Sequence, residues 1–98
     1  MTDAEIAGLQ VAVERDHRCP ATFRTTERVR ETIDGKPLQL EVALFDILGH
    51  PRALICYAWY APGSDPKQPR AVTVLREGLV RSSLDAVRFA LDEAEGHR

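Results

Sequence analysis

Apolar residues between Ala4 and Arg18 recur at spacings of three and four. Ile6, Leu9, Val13 and His17 share one stripe, with Ala12 beside it, and this period predicts a helix. Thr2 or Asp3 can cap it, Glu5 sits in the first turn where the helix dipole favours an acid, and Pro20 ends it. Gly8 weakens the helix by about 1 kcal/mol relative to alanine. From Thr22 to Ile33 the period drops to two. Phe23, Thr25, Val29 and Ile33 are expected on one face of a strand, and Arg24, Thr26, Arg28, Arg30 and Thr32 on the other. Asp34-Gly35 predicts a tight hairpin, because both positions of such a turn need positive φ.

The return strand, Leu38 to Leu48, sets Leu38, Leu40, Val42 and Leu44 on one face. Its opposite face begins polar, with Gln39 and Glu41, and ends apolar, with Ala43, Phe45 and Ile47. After the turn Gly49-His50-Pro51 comes "RALICYAWYA", the third predicted strand. "PGSDPKQP" reads as a loop, and residues 70–77 as a fourth strand around Ala71, Val72, Thr73, Val74 and Leu75. Gly78 breaks it. Ser82 or Ser83 can then cap a closing helix that runs to Glu95, with Leu84, Val87, Leu91 and Ala94 as its buried stripe. Phe89 falls far from that stripe, at its rim or in solvent. The pattern predicts one α+β domain over residues 1–98, in the order α-β-β-β-β-α. The sheet is a four-stranded antiparallel meander, with the N- and C-terminal helices packed on one face.

The third strand sets the problem. "ALICYAWYAP" carries no formal charge and apolar side chains on both faces, whereas an antiparallel sheet with one wet face alternates cleanly. Small side chains at Cys56 and Ala58 would let helices approach closely, so that face is assigned to them. Tyr57 and Trp59 are then expected to look outward, beside Phe45 and Ile47 if the register allows; the alternative is that Trp59 is core, with the proline loop over that face. An aromatic patch on an open sheet is a place for another protein surface, and symmetric dimers are the commonest result. Phe45, Ile47, Tyr57 and Trp59 are therefore the candidate interface of a homodimer, with another protein partner as the variant of the same reading.

Charge narrows the alternatives. The 98 residues carry 13 Lys and Arg against 15 Asp and Glu, so the domain is mildly acidic. That balance weighs against nonspecific nucleic-acid binding, which depends on neutralising phosphates. Arg24, Arg28 and Arg30 still form a row, and interleaved with Tyr57, Trp59 or Tyr60 they are the candidate surface for single-stranded nucleic acid. No apolar run approaches the roughly 18 residues that cross a bilayer, no basic export leader is visible, and two cysteines without such a leader indicate a reducing cytoplasm.

Catalytic and metal motifs are weak. His17, Cys19, His50 and Cys56 are soft-metal ligand types without the paired spacing that zinc sites show. Cys19 lies beside Arg18 and near His17, but nothing in the sequence supplies an oxyanion hole or an orienting carboxylate. The glycines are isolated turn residues and form no phosphate loop. The order of elements resembles the double-stranded RNA-binding domain. That family carries a Lys-rich cluster at the start of its last helix, where this chain reads "RSSLDAVRF" with Asp85, and the fourth strand is additional; the family is not assigned. No cofactor, metal or catalytic residue is predicted. The expected function is that of a small interaction domain.

Overall fold

The computed structural model describes residues 1–96. Helix α1 spans Asp3–His17, strands β1 to β4 span Ala21–Ile33, Lys36–Ile47, Ile55–Tyr60 and Ala71–Leu75, and helix α2 spans Ser83–Gly96. The sheet is antiparallel throughout, in the order β1-β2-β3-β4, so each strand pairs with its neighbour in sequence. Among the described residues no helix is long and apolar enough to cross a membrane.

Local chemistry explains the boundaries. The Thr2 hydroxyl accepts the Glu5 N–H at 3.1 Å, while the Glu5 carboxylate accepts the Thr2 N–H at 2.9 Å. Two of the unpaired donors at the start of α1 are thus satisfied. Asp34 and Gly35 take φ of 52° and 77°, the left-handed pair that a two-residue hairpin turn requires.

The two helices lie on opposite faces of the sheet. This corrects the expectation that both pack on one face. Leu9 and Val13 of α1 bury against Ala43, Phe45, Ile47, Cys56 and Ala58. Ala86 and Val87 of α2 bury against Val42, Leu44, Tyr57, Trp59 and Val74. The uncharged third strand is therefore covered twice, by α1 over its small residues and by α2 over its aromatic ones. A strand buried on both faces has no reason to alternate. On α2 itself Ser83, Ala86 and Val87 are the buried positions and Ala94 is exposed, so the buried stripe lies closer to the helix start than the sequence indicated.

A bulge in β1 decides which of its side chains meet which helix. Phe23 pairs with Phe45, yet Thr25 pairs with Leu44, so Arg24 is an extra residue in the ladder. The insertion moves every later residue to the opposite face. Ala21 and Phe23 lie on the α1 side, whereas Thr25, Glu27, Val29 and Glu31 lie on the α2 side, a split that clean alternation could not give. Glu27 then accepts the Ser83 hydroxyl at 2.5 Å, and Glu31 pairs with Arg88, which ties α2 along β1.

Gly8 has a packing role. A methyl group there would lie 2.4 Å from the Tyr60 hydroxyl, which itself donates to the Glu5 carbonyl at 2.8 Å. Gly→Ala in a helix ordinarily gains about 1 kcal/mol. Here that gain is offset by displacement of the phenol and loss of its hydrogen bond, worth about 1 kcal/mol. G8A is therefore expected to leave the urea midpoint nearly unchanged in wild type. In a Y60F background, where the hydroxyl is gone and the ring carbon lies 3.7 Å away, it should stabilise by about 1 kcal/mol.

Candidate functional site

The four residues expected to form an outward patch do not form one. Tyr57 and Trp59 are 2% and 3% exposed, and Phe45 and Ile47 are buried too. They do not even share a face. Phe45 pairs with Cys56 and Leu44 with Tyr57, so the β2–β3 register sends Phe45 and Ile47 to the α1 core and Tyr57 and Trp59 to the α2 core. The arginine row is broken as well. Arg24, the bulge residue, reaches Asp46 at 3.1 Å. Arg28 and Arg30 remain together on the α1 side of the β1–β2 ribbon, paired across the ladder with Glu41 and Gln39. Tyr57 and Trp59 lie on the other face under α2, and the Tyr60 hydroxyl is committed to Glu5. The interleaved stacking surface that single strands need is not assembled.

The residues with catalytic or metal-binding potential hold structural roles. The Cys19 thiol donates to the His17 carbonyl at 3.3 Å and does not meet the imidazole. Cys56 is buried mid-strand, and burial pushes its thiol up to about 12, far from a nucleophile's range. His50 Nδ1 accepts the backbone N–H groups of Arg52 and Ala53 at 3.0 and 3.2 Å, which fixes the turn before β3. His17 Nε2 lies 2.9 Å from Thr73 Oγ1, and that hydroxyl donates to Asp16 Oδ2 at 2.9 Å. With its single proton given to Asp16, Thr73 can only accept from His17. The proton order runs His to Thr to Asp, the reverse of a hydroxyl activated by an imidazole base. Among the described residues no group of three His, Cys, Asp or Glu side chains is placed to hold a metal ion.

What the surface does offer is an open strand edge. β4 is the last strand of the sheet. Arg76 N–H donates to Ile55 at 2.9 Å and Ala61 N–H to Arg70 at 2.8 Å, which fixes the alternation between them. Val72 and Val74 exchange hydrogen bonds with β3, so Ala71, Thr73 and Leu75 turn their N–H and C=O groups outward. The Leu75 carbonyl already accepts the Glu77 N–H at 3.0 Å, and the others face solvent. A cleft of about 710 Å³ runs along this edge, floored by Thr73, Val74 and Leu75. His17, at the end of α1, lines it on one side of the sheet, and Phe89 of α2 on the other, with Leu79 beside it. Leu79 is 92% exposed and Phe89 45%. The sequence marked Phe89 as displaced from its helix stripe but gave Leu79 no role. The signal was there: "AVTVL" is five residues without a charge at the end of a meander, followed after three residues by a leucine outside any periodic element.

Burial holds the His17 imidazole below its usual range, partly opposed by Asp16 and Glu77 and reinforced by His50. The unfolded chain therefore takes up this proton at higher pH than the folded one. Stability from this group is complete above about pH 6.5 and declines as the pH falls below it. Urea midpoints measured from pH 7.5 to 5.5 should show that decline. H17Q, which keeps a donor for Thr73, should flatten it.

Comparison of the chain with protein-family models, with curated proteins and with solved structures gave no match.

Proposed function

We propose that the protein is a small non-catalytic interaction domain that self-associates, and that it does so through the outer edge of β4 rather than through a sheet face. The observation that carries this reading is a neutral strand edge flanked by Leu79 and Phe89, two of the exposed large apolar side chains. Unpaired N–H and C=O groups on a flat neutral strand are a template for a further strand, and proteins that must stay monomeric blunt them with charge, proline or a bulge. The opposite edge, β1, is blunted in this way. It carries a bulge at Arg24 and the run "TERVRET". Antiparallel self-pairing about Val29 would set Arg28 against Arg30 of the partner subunit and Glu27 against Glu31 of the partner subunit, and like charges directly opposite destabilise. Ala71 to Leu75 have no such guard.

Leu79 and Phe89 supply the apolar contact that strand pairing alone lacks. A leucine left almost wholly in water forgoes about 1.5–3 kcal/mol available on burial. Two free, buried thiols and the absence of a disulfide among the described residues support a reducing, cytoplasmic setting. Sedimentation equilibrium at tens of micromolar tests the reading. Wild type is expected to weigh as two chains, and F89E, which places a carboxylate in the contact at a position already half exposed, as one. A wild-type mass of one chain would end the proposal.

A further inference from the structure

We infer that the second chain pairs by its own β4, antiparallel about a two-fold axis at Thr73, to give one continuous eight-stranded sheet. This inference rests on the edge-association reading above and names its geometry. A two-fold axis perpendicular to an antiparallel sheet must pass between two copies of the same residue, which leaves three central registers to compare. Centred on Val72, the ladder would put Pro69, which has no N–H, opposite the partner's Leu75. Centred on Val74, it would set Arg76 and Glu77 opposite the partner's Val72 and the partner's Ala71. Only the Thr73 register keeps the five neutral residues Ala71 to Leu75 facing one another.

The same register matches the hydrogen-bonding directions already fixed by β3. Thr73 exchanges both bonds with the partner's Thr73. Ala71 and Leu75 face the partner's Leu75 and the partner's Ala71. Roughly four of the resulting backbone bonds meet free carbonyls, and two must share the Leu75 carbonyl with the Glu77 N–H. Val72 then lies against the partner's Val74, on the α2 side, where Leu79 and Phe89 of both chains flank the junction. The register has a second cost. Arg70 faces the partner's Arg76 at each end, an exposed like-charge pair of the kind that weakens a ladder without breaking it.

Pairing register is read by disulfide trapping. In this register Val72 and the partner's Val74 form a non-hydrogen-bonded pair, with Cα atoms about 4.5 Å apart, within disulfide reach. Val72 and the partner's Val72 are diagonal neighbours at roughly 7–8 Å, beyond it. Isotope-labelled V72C is mixed with unlabelled V74C under oxidised glutathione, with each variant alone and wild type as controls, and products are weighed by mass spectrometry. Cys19 and Cys56 are buried in the wild-type chain, and the wild-type control reports any cross-link through them. Cross-linked dimer in the mixture, and at least tenfold less in either variant alone, is the expected result. Cross-linking of V72C alone or V74C alone would overturn the Thr73 register and leave edge association standing. A two-chain mass with no cross-link in any sample would overturn it in favour of another surface. A one-chain mass by sedimentation would remove the association itself.

Discussion

Replacing Trp59 with alanine is expected to destabilise the fold by several kcal/mol, not merely to dissociate a folded dimer. The indole fills the α2 side of the sheet among Val42, Leu44, Val74 and Val87. Trp→Ala in such a position costs about 3–5 kcal/mol, the lost transfer energy plus the cavity left behind. A domain of this size has a total stability of about 5–15 kcal/mol. The change thus removes at least about a fifth of what holds the fold, and at about 4–8 °C per kcal/mol it lowers the melting temperature by roughly 12–40 °C. Thermal unfolding followed by circular dichroism checks it. If Trp59 stood on an open interface, W59A would melt near wild type and only its association would change, so the two placements of this side chain predict opposite outcomes.

The second large effect is expected at Thr73. T73P should reduce self-association by at least about 100-fold, some 2.8 kcal/mol, while the chain still folds. The Thr73 N–H points away from β3, so no hydrogen bond of the sheet is lost when proline removes it, and proline is tolerated on an edge strand at such a position. Loss of the hydroxyl lowers stability by about 1 kcal/mol for the contact with His17 and by up to about 1.5–3 kcal/mol for the bond to the Asp16 carboxylate. T73V separates the two effects. It loses the hydroxyl and keeps the N–H, so it should share the stability loss but still associate. Sedimentation velocity of the three proteins over a concentration series distinguishes them.

The secondary structure was legible because each element announces its own period and its own punctuation. Thr2 and Glu5 form the cap that starts α1, Asp34-Gly35 makes the hairpin turn, and Gly78 follows the end of β4. Short links favoured an antiparallel meander without fixing the strand order, and the sheet has the meander order. Layering was harder. "ALICYAWYAP" says that both faces of β3 are dry, but not what dries each one, and a second helix does so as well as a second protein. Two local facts would have decided it. One is the bulge at Arg24, which no residue type marks in advance and which turns Glu27 and Glu31 toward α2. The other is the register Phe45 to Cys56, which separates Phe45 from Tyr57. A shift of a single residue moves a whole strand's side chains to the other face; the bulge in β1 broke the arginine row, and the β2–β3 register split the proposed patch. The candidate site lies on a strand edge, and edges depend on strand order and hydrogen-bond direction more than on side-chain pattern.

The proposed association uses the β4 edge, and the outward amides of Ala71, Thr73 and Leu75 report on it directly. Their hydrogen exchange, followed residue by residue in the ¹⁵N spectrum, should slow at least tenfold as protein concentration rises from about one to several hundred micromolar. Fast exchange at these three amides at every concentration, in a sample that otherwise forms dimers, would contradict the account.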